Sequence, residues 1–300
     1  MPANGARVSD QRVRERFDAL WSVQEGLREP QDLLLQAKAL VLCALPYKRL
    51  PDARITRKAR IGKTTFLSVT FAAVGEGAVL PFGADRALFG WIQTRAYREG
   101  FIAFETLKEF LTAFGLNDSG ANYRLFKQRV DRLTHFAVSI ETSTDDEEAL
   151  LNITPVRSAY FPKSSRAARK KISTEDAGQL LLIPEKYGFR LDPLFWEYLK
   201  ANPVPLPLSL MRLFHNKPKG WDFAQFVLYR CYAARTKSVV PWTAFSEQLG
   251  SRDTNQRRLR ATLAGFLRQM KVVFRDLPAE FLPGYEGLAV APWAPPRERQ

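Results

Sequence analysis

Hydrophobic and polar positions follow the same order in two parts of this 300-residue chain, residues 102–141 and residues 240–276. Each part is typical of a short strand, a helix closed by glycine, an arginine-bearing helix and a further strand. Aligned on Gly115 and Gly250, 135 positions apart, the two parts match at apolar positions although most identities differ. The matched pairs are Leu107 with Trp242, Phe110 with Phe245 and Phe114 with Leu249 and, after a one-residue gap, Leu125 with Leu259 and Leu133 with Leu267.

This repetition predicts one supersecondary unit used twice. A helix-turn-helix that continues into a hairpin is such a unit, and its second helix can enter a DNA groove. Periodicity predicts three helices before the first hairpin, the first of which precedes residue 102. Ser119 and Asn122 are alternative N-caps of the third. The predicted elements are helices over 85–98 and 106–114, a helix that ends near 136, and wing strands over 137–141 and 149–153.

The second part repeats this plan around a helix that is apolar almost all round, which predicts that the helix lies at the centre of its unit. A strand near 180–183 and a proline-rich turn at 203–207 are expected before it. The predicted elements are helices over 221–235, 242–249 and 255–270, and wing strands over 272–275 and 288–291.

The residues before the first unit predict two helices, over 10–27 and 31–45, and Pro46 ends the second. A strand is expected over 65–74, where apolar residues alternate. The predicted fold class is therefore α+β and helix-rich, with two winged-helix units in tandem. Its divisions are amino-terminal helices over 1–45, a first winged-helix domain over 46–160, a basic linker over 161–178, a second winged-helix domain over 179–292 and a tail over 293–300.

The charge of the chain indicates the kind of partner. Lys and Arg number 45 against 31 Asp and Glu, which gives a net charge of +14 at pH 7 and a pI near 9.9. Such a charge favours a polyanion such as nucleic acid, and a basic but solvated surface is the alternative. No apolar run is long enough to span a membrane and no signal-like amino terminus occurs, so we expect a cytoplasmic protein without a membrane partner.

The predicted third helix of the second unit is the strongest candidate for DNA contact. Its apolar residues, from Leu259 to Met270, fall on one face, and its first turns carry arginine and amide side chains. Arginine can bind guanine with two hydrogen bonds, and Asn or Gln can do so with adenine. An ordinary solvated helix face is the alternative. The candidate residues are Arg252, Asn255, Gln256, Arg257, Arg258 and Arg260.

The first unit carries a weaker set of outward residues on its third helix. Its wing tip, residues 145–148, is four consecutive acids, which phosphates would repel, so we expect this unit to serve partly in protein contacts such as a homodimer. The basic segments 48–63 and 157–171 can follow phosphates or can be solvated linkers. The further candidate residues are Arg124, Lys127, Gln128 and Arg132 in the helix, and Lys163, Arg166, Arg169, Lys170 and Lys171 in the linker.

Several enzyme classes lack their motifs in this sequence. Gly62-Lys63-Thr64 imitates the end of a phosphate-binding loop, but Arg57 stands where its first glycine is required. His135 and His215 are too far apart for a His-x-His nickase site, and with two cysteines, Cys43 and Cys231, they form no zinc-ligand spacing. We therefore expect no catalytic residue, metal or cofactor.

Short motifs occur in order over about residues 40–292: Leu45-Pro46-Tyr47, Ala59-Arg60-Ile61-Gly62, Leu80-Pro81-Phe82-Gly83-Ala84-Asp85-Arg86-Ala87-Leu88, Gly120-Ala121-Asn122-Tyr123-Arg124, Phe189-Arg190-Leu191-Asp192, Tyr229-Arg230-Cys231-Tyr232-Ala233-Ala234 and Val240-Pro241-Trp242. In this order they resemble the plasmid-encoded RepA replication-initiator family. The resemblance implies a protein that binds double-stranded DNA at plasmid origin repeats, helps open the duplex, and recruits the host replication initiator and helicase-loading machinery.

Two other functions remain open at this point. A winged-helix transcriptional regulator or repressor would share the helix-turn-helix units and the basic charge, and initiators can also repress their own promoters. A site-specific nuclease would also bind DNA, although the sequence shows no catalytic motif for one.

Overall fold

The computed structural model describes residues 33–61, 64–104, 106–113, 116–161, 187–207, 213–214, 217–250 and 255–293. Within them the chain is a mixed α and β protein. The strands are β1 Leu33–Ala37, β2 Arg54–Arg60, β3 Phe66–Ala73, β4 Phe101–Phe104, β5 Phe136–Ser143, β6 Glu148–Ile153, β7 Val156–Tyr160, β8 Tyr187–Leu191, β9 Pro203–Pro207, β10 Ser238–Pro241, β11 Ala279–Phe281 and β12 Gly287–Val290. The α-helices are α1 Lys38–Leu42, α2 Asp85–Ala96, α3 Leu107–Ala113, α4 Gly120–Thr134, α5 Pro193–Ala201, α6 Pro218–Ala233, α7 Trp242–Leu249 and α8 Gln256–Val273.

A four-stranded antiparallel sheet, in the order β2-β3-β5-β6, dominates the first half. Leu67, Val69 and Phe71 of β3 are buried, so the predicted alternation of a half-buried strand is confirmed. The predicted hairpin is also confirmed as β5 and β6. Its tip is closed by Thr144, whose Oγ1 accepts a hydrogen bond from the Glu147 amide at 3.0 Å.

A second pairing corrects two predictions. Residues 33–37 were expected to lie in a helix over 31–45, but they form β1, which pairs antiparallel with β9. The proline-rich residues 203–207, expected to be a turn, are β9 itself. Proline at every second position lets a strand pair along one edge only, and β9 has one partner in its two-stranded sheet. The predicted helix over 10–27 and the strand over 180–183 lie outside the described residues.

The second half is built around α6, whose buried residues include Trp221, Phe223, Phe226 and Leu228. The prediction of a central helix is confirmed. Strands β10, β12 and β11 form an antiparallel sheet in that order beside it, and a one-turn 3₁₀ helix, Pro283–Tyr285, lies between β11 and β12.

The predicted wing strand at 272–275 is wrong, because α8 continues to Val273. Met270, Val273 and Phe274 are buried at helical spacing, and this burial outweighs the preference of two adjacent valines for a strand. The next strand is β11, which begins several residues later at Ala279. Strand β12 lies close to the wing strand that was predicted at 288–291.

One order of elements therefore occurs twice: helix, strand, helix, helix, strand, strand. It comprises α2-β4-α3-α4-β5-β6 in the first half and α6-β10-α7-α8-β11-β12 in the second. The strand pairing differs between the two. In the second set the leading strand β10 pairs with the hairpin strand β12, whereas in the first set β4 pairs with β8 and the hairpin pairs with β3.

The two halves are also joined through their interiors. Strand β8 comes after the predicted linker, yet it pairs with β4 and β7 of the first half. Arg86 of α2 forms a buried ion pair with Asp222 of α6. Burial raises the pKa of Asp222 to about 6, against the lowering effect of Arg86. Most of the predicted linker lies outside the described residues, and the division into domains stays a prediction.

Candidate nucleic-acid interface

The turn between α7 and α8 begins at Gly250, as predicted. Trp242, Phe245 and Leu249 of α7 are buried and fix this helix on the core. Gly250 has φ +59° and ψ +36°, a left-handed conformation that ends a helix and favours glycine. A Cβ atom at this position would overlap the Arg57 guanidinium. The left-handed backbone therefore favours glycine before α8, and any side chain there would also displace the end of Arg57.

Asn255 caps the amino terminus of α8. Its side-chain oxygen accepts a hydrogen bond from the Arg258 amide at 3.0 Å, which satisfies one of the free N–H groups of the first turn. The paired contact that Asn makes with adenine needs the same oxygen, so the cap and the predicted base contact compete for it. The Gln256 side chain and Arg252 lie outside the described residues.

The two faces of α8 differ completely. Leu259, Leu263, Leu267 and Met270 are all buried, and the predicted core face is confirmed. The opposite face carries no acidic residue, since residues 255–273 contain neither Asp nor Glu. Its exposed residues are Arg257, Arg258, Ala261, Thr262, Arg268 and Val272.

Arg268, Ala261 and Thr262 were missing from the sequence-based candidates. Arg268 lies three helical turns after Arg257 on the same exposed face, and the small side chain of Ala261 lies between them. The helical period that located the core face would also have located these residues, had the outward face been followed past the first two turns. The resulting surface has arginines at both ends and small side chains between them.

Arg260 has a different role from its neighbours. It is half-buried, and its guanidinium donates a hydrogen bond to the carbonyl oxygen of Leu282, which follows β11. The side chain thereby ties α8 to the hairpin of its own unit.

The arginines of α4 divide in another way. Arg124, Lys127 and Gln128 are exposed, as predicted. Arg132 instead turns inward, where its Nε and Nη2 atoms donate to the Asp85 carboxylate at 2.6 and 2.9 Å. Arg129 lies 3.8 Å from the same carboxylate, and burial lowers the pKa of this arginine.

Burial also corrects the alignment of the two helices. Leu125 is 40% exposed whereas Leu259 is 3% exposed, so they are not equivalent positions. Phe126 and Val130 are buried with the same four-residue spacing as Leu259 and Leu263. With this one-residue correction Arg124 corresponds to Arg257.

The acidic tip of the first hairpin is exposed to solvent. Asp145, Asp146, Glu147 and Glu148 are all exposed. The linker residues that complete the predicted set, Lys163, Arg166, Arg169, Lys170 and Lys171, lie outside the described residues.

Neither metal chemistry nor thiol chemistry is indicated in the described part of the chain. No group of three or more His, Cys, Asp or Glu side chains there is arranged to hold a metal ion. Cys43 and Cys231 are buried free thiols, and burial raises their pKa values to about 12 and about 11. None of the described helices combines the length and hydrophobicity needed to cross a bilayer.

Comparison with known proteins gives matches in structure alone. No protein-family model matches the chain, and no curated protein matches it. Two crystal structures of RctB domains 2 and 3 are similar to it. One, of selenomethionine derivatives, has a TM-score of 0.45 and 13% identity over 82% of this chain and 92% of that chain. The other has a TM-score of 0.41 and 15% identity over 81% of this chain and 83% of that chain.

Proposed function

We propose that this protein is a plasmid replication initiator that binds double-stranded DNA at origin repeats, with α8 as its recognition helix. One observation carries the proposal: α8 follows a glycine-ended helix and exposes three arginines without an acid on its outer face. The order of motifs that resembles the RepA initiators supports the choice of function. At 13% and 15% identity, the likeness to RctB adds nothing to it.

The second set of elements acts as a winged helix in this proposal. Its three helices, its leading strand and its hairpin occur in the order that such a unit requires, and β10 closes the hairpin sheet. Arg257 and Arg258 at the start of α8 are placed to bind base edges in the major groove. The small side chain of Ala261 allows the helix to approach the duplex closely, and Arg268 then binds phosphate.

The first set contributes phosphate contacts or self-association. Arg124, Lys127 and Gln128 form its exposed polar surface, and the neighbouring Leu125 exposes 40% of its area. An apolar side chain beside these residues suits a protein contact better than a fully wetted phosphate surface. The acidic hairpin tip points to the same conclusion, because four carboxylates beside phosphates would be repelled.

In this proposal the protein opens DNA with binding energy and without catalysis. Contacts that are better with bent or unwound DNA offset the cost of deforming the duplex. A homodimer on paired repeats and recruitment of the host replication initiator and helicase, in the cytoplasm, complete the proposed role.

A replication test separates this function from that of a transcriptional repressor. Deleting the gene from a minimal plasmid replicon should stop replication, and supplying the protein in trans should restore it. A repressor would leave replication running and raise transcription of its target. Footprinting on the DNA that flanks the gene should reveal protected repeats.

A nicking test separates it from that of a nuclease. Supercoiled origin DNA incubated with the protein and Mg²⁺ should remain supercoiled, with a known nickase as the positive control. Accumulation of open circles that depends on the protein would contradict the proposal.

A further inference from the structure

Strand β2 exposes a row of cations on one face. Arg54, Lys58 and Arg60 are exposed together with Thr56, whereas the alternate residues of the strand are half-buried or buried. Alternate residues on one face of a strand lie about 6.7 Å apart. The sequence indicated a basic segment here, and the strand fixes which of its side chains share a surface.

The strand lies beside the turn that leads into α8. Arg57, on its inner face, approaches Gly250 so closely that the glycine has no room for a side chain. Arg230 of α6 donates a hydrogen bond to the Arg60 carbonyl oxygen at 2.8 Å. Two independent contacts thus hold β2, an edge strand, against the unit that contains the proposed recognition helix.

The rest of the same sheet face is small and polar next to the cations. Thr56 and Thr70 share a hydrogen bond of 2.8 Å between their hydroxyl groups, and Ser68 lies beside Lys58. The nearest acid across the sheet from Lys58 is Glu141. It lies two strands away, so the Cα atoms of the two residues are about 9.6 Å apart. Asp52, an exposed acid, precedes the strand.

Other acids lie at the Arg60 end. A groove of about 870 Å³ between the sheet and α7 is lined by Lys58 and Arg60 but also by Glu141, Glu148 and Glu247. These carboxylates oppose a polyanion there. The cationic surface is therefore strongest toward Arg54, at the end of the edge strand that lies away from the hairpin tip.

We propose that Arg54 and Lys58 form a phosphate-contacting track that continues the α8 interface along the backbone of the same duplex. The proposal rests on the function proposed above. The positive charge indicates a phosphate backbone as the partner. Two cations on one exposed face, with serine and threonine hydroxyl groups beside them, can bind phosphate oxygens. The track adds affinity and salt dependence, and it carries no sequence information.

Charged residues on an edge strand can also serve only to prevent pairing with another sheet. That alternative predicts no effect on DNA binding. The double variant Arg54→Gln and Lys58→Gln distinguishes the two roles. The matched control is Arg95→Gln with Arg98→Gln, which removes two exposed cations at and just after the end of α2 that belong to neither surface.

The measurement is the affinity of each protein for a cognate and for a random duplex at several salt concentrations. Each phosphate contact contributes about 0.9 to the slope of log K against log salt, so the double variant should lose about 1.8, and each single variant about half of that. The loss should be equal on both duplexes, and the control should keep the wild-type slope. Size-exclusion chromatography at assay concentration confirms that each variant stays dispersed.

Two failures remain distinguishable in this design. If the double variant has the same slope as the control while the wild-type protein still prefers the cognate duplex, the track is overturned and the function proposed above is not. A wild-type protein that binds cognate and random duplexes equally overturns the function proposed above, whatever the variants show.

Discussion

Helices α4 and α8 hold the same place in two sets of elements, yet most of the arginines turn inward in α4 whereas most are exposed in α8. In α4, Arg129 and Arg132 turn toward the buried Asp85. In α8, Arg257 and Arg258 are exposed to solvent. An arginine-bearing helix after a turn is therefore weak evidence for a DNA-reading surface until the direction of each guanidinium is known.

The partner of the α4 arginines explains the difference. Asp85 lies in the first turn of α2 and accepts a hydrogen bond from the Phe82 amide at 3.0 Å. Its carboxylate is buried and needs a cation, which Arg132 supplies. The acid of the corresponding helix in the second set, Asp222 of α6, is paired with Arg86 of the first half. On the outer face of α8, Arg257, Arg258 and Arg268 are exposed.

The largest expected effect is on stability. Arg132→Ala leaves the Asp85 carboxylate buried without its main partner, and should lower the free energy of unfolding by about 3 kcal/mol. Arg258→Ala, at an exposed position, should change the free energy of unfolding by less than about 0.5 kcal/mol. Urea denaturation of the two variants measures both. Equal stabilities would show that the inward contact in α4 is unimportant.

A smaller effect on stability is expected at Gly250, which precedes α8, and at Gly120, the first residue of α4. Gly250→Ala forces a side chain into a left-handed conformation and against Arg57, which should cost at least about 1–2 kcal/mol of stability. Gly120 has open space around it at the start of α4, so Gly120→Ala should be neutral or slightly stabilising. Thermal unfolding of both variants gives the comparison. A Gly250→Ala protein as stable as wild type would contradict the described turn.

The smallest effect is expected at the acidic hairpin tip. If this tip stays away from the duplex, Asp146→Asn with Glu147→Gln should change DNA affinity by less than about twofold at physiological salt, where charges beyond about 8 Å are screened. Filter binding at that salt concentration measures the change. A tenfold gain in affinity would place the hairpin against the phosphates and make the two sets more alike.

Local patterns predicted the parts of the fold that local forces determine. Helix α7 was predicted with its observed bounds from apolar spacing and from Gly250, and the β5–β6 hairpin from alternation around an acidic turn. Pairings between distant residues were missed. Strands β1 and β9 pair although Leu33 and Pro207 are 174 positions apart, and neither segment indicates its partner.

The same limit applies to the candidate site. Sequence periodicity placed Arg257 and Arg258 on an outer face, where the structure also has them. It also treated Arg132 and Arg260 as outward, because their acceptors, Asp85 and the Leu282 carbonyl, belong to other elements. The direction of a long side chain depends on tertiary partners that a helical pattern does not contain.

The most direct test of the central claim compares affinity for a cognate origin repeat with affinity for a random duplex at one salt concentration. We predict that Arg257→Ala and Arg258→Ala each lose about 1–3 kcal/mol on the repeat and less on random DNA. The matched double variant Arg124→Ala with Lys127→Ala should lose the same amount on both duplexes. Equal losses on both duplexes for the α8 variants would mean that α8 contacts phosphate only, and would contradict its role as the recognition helix.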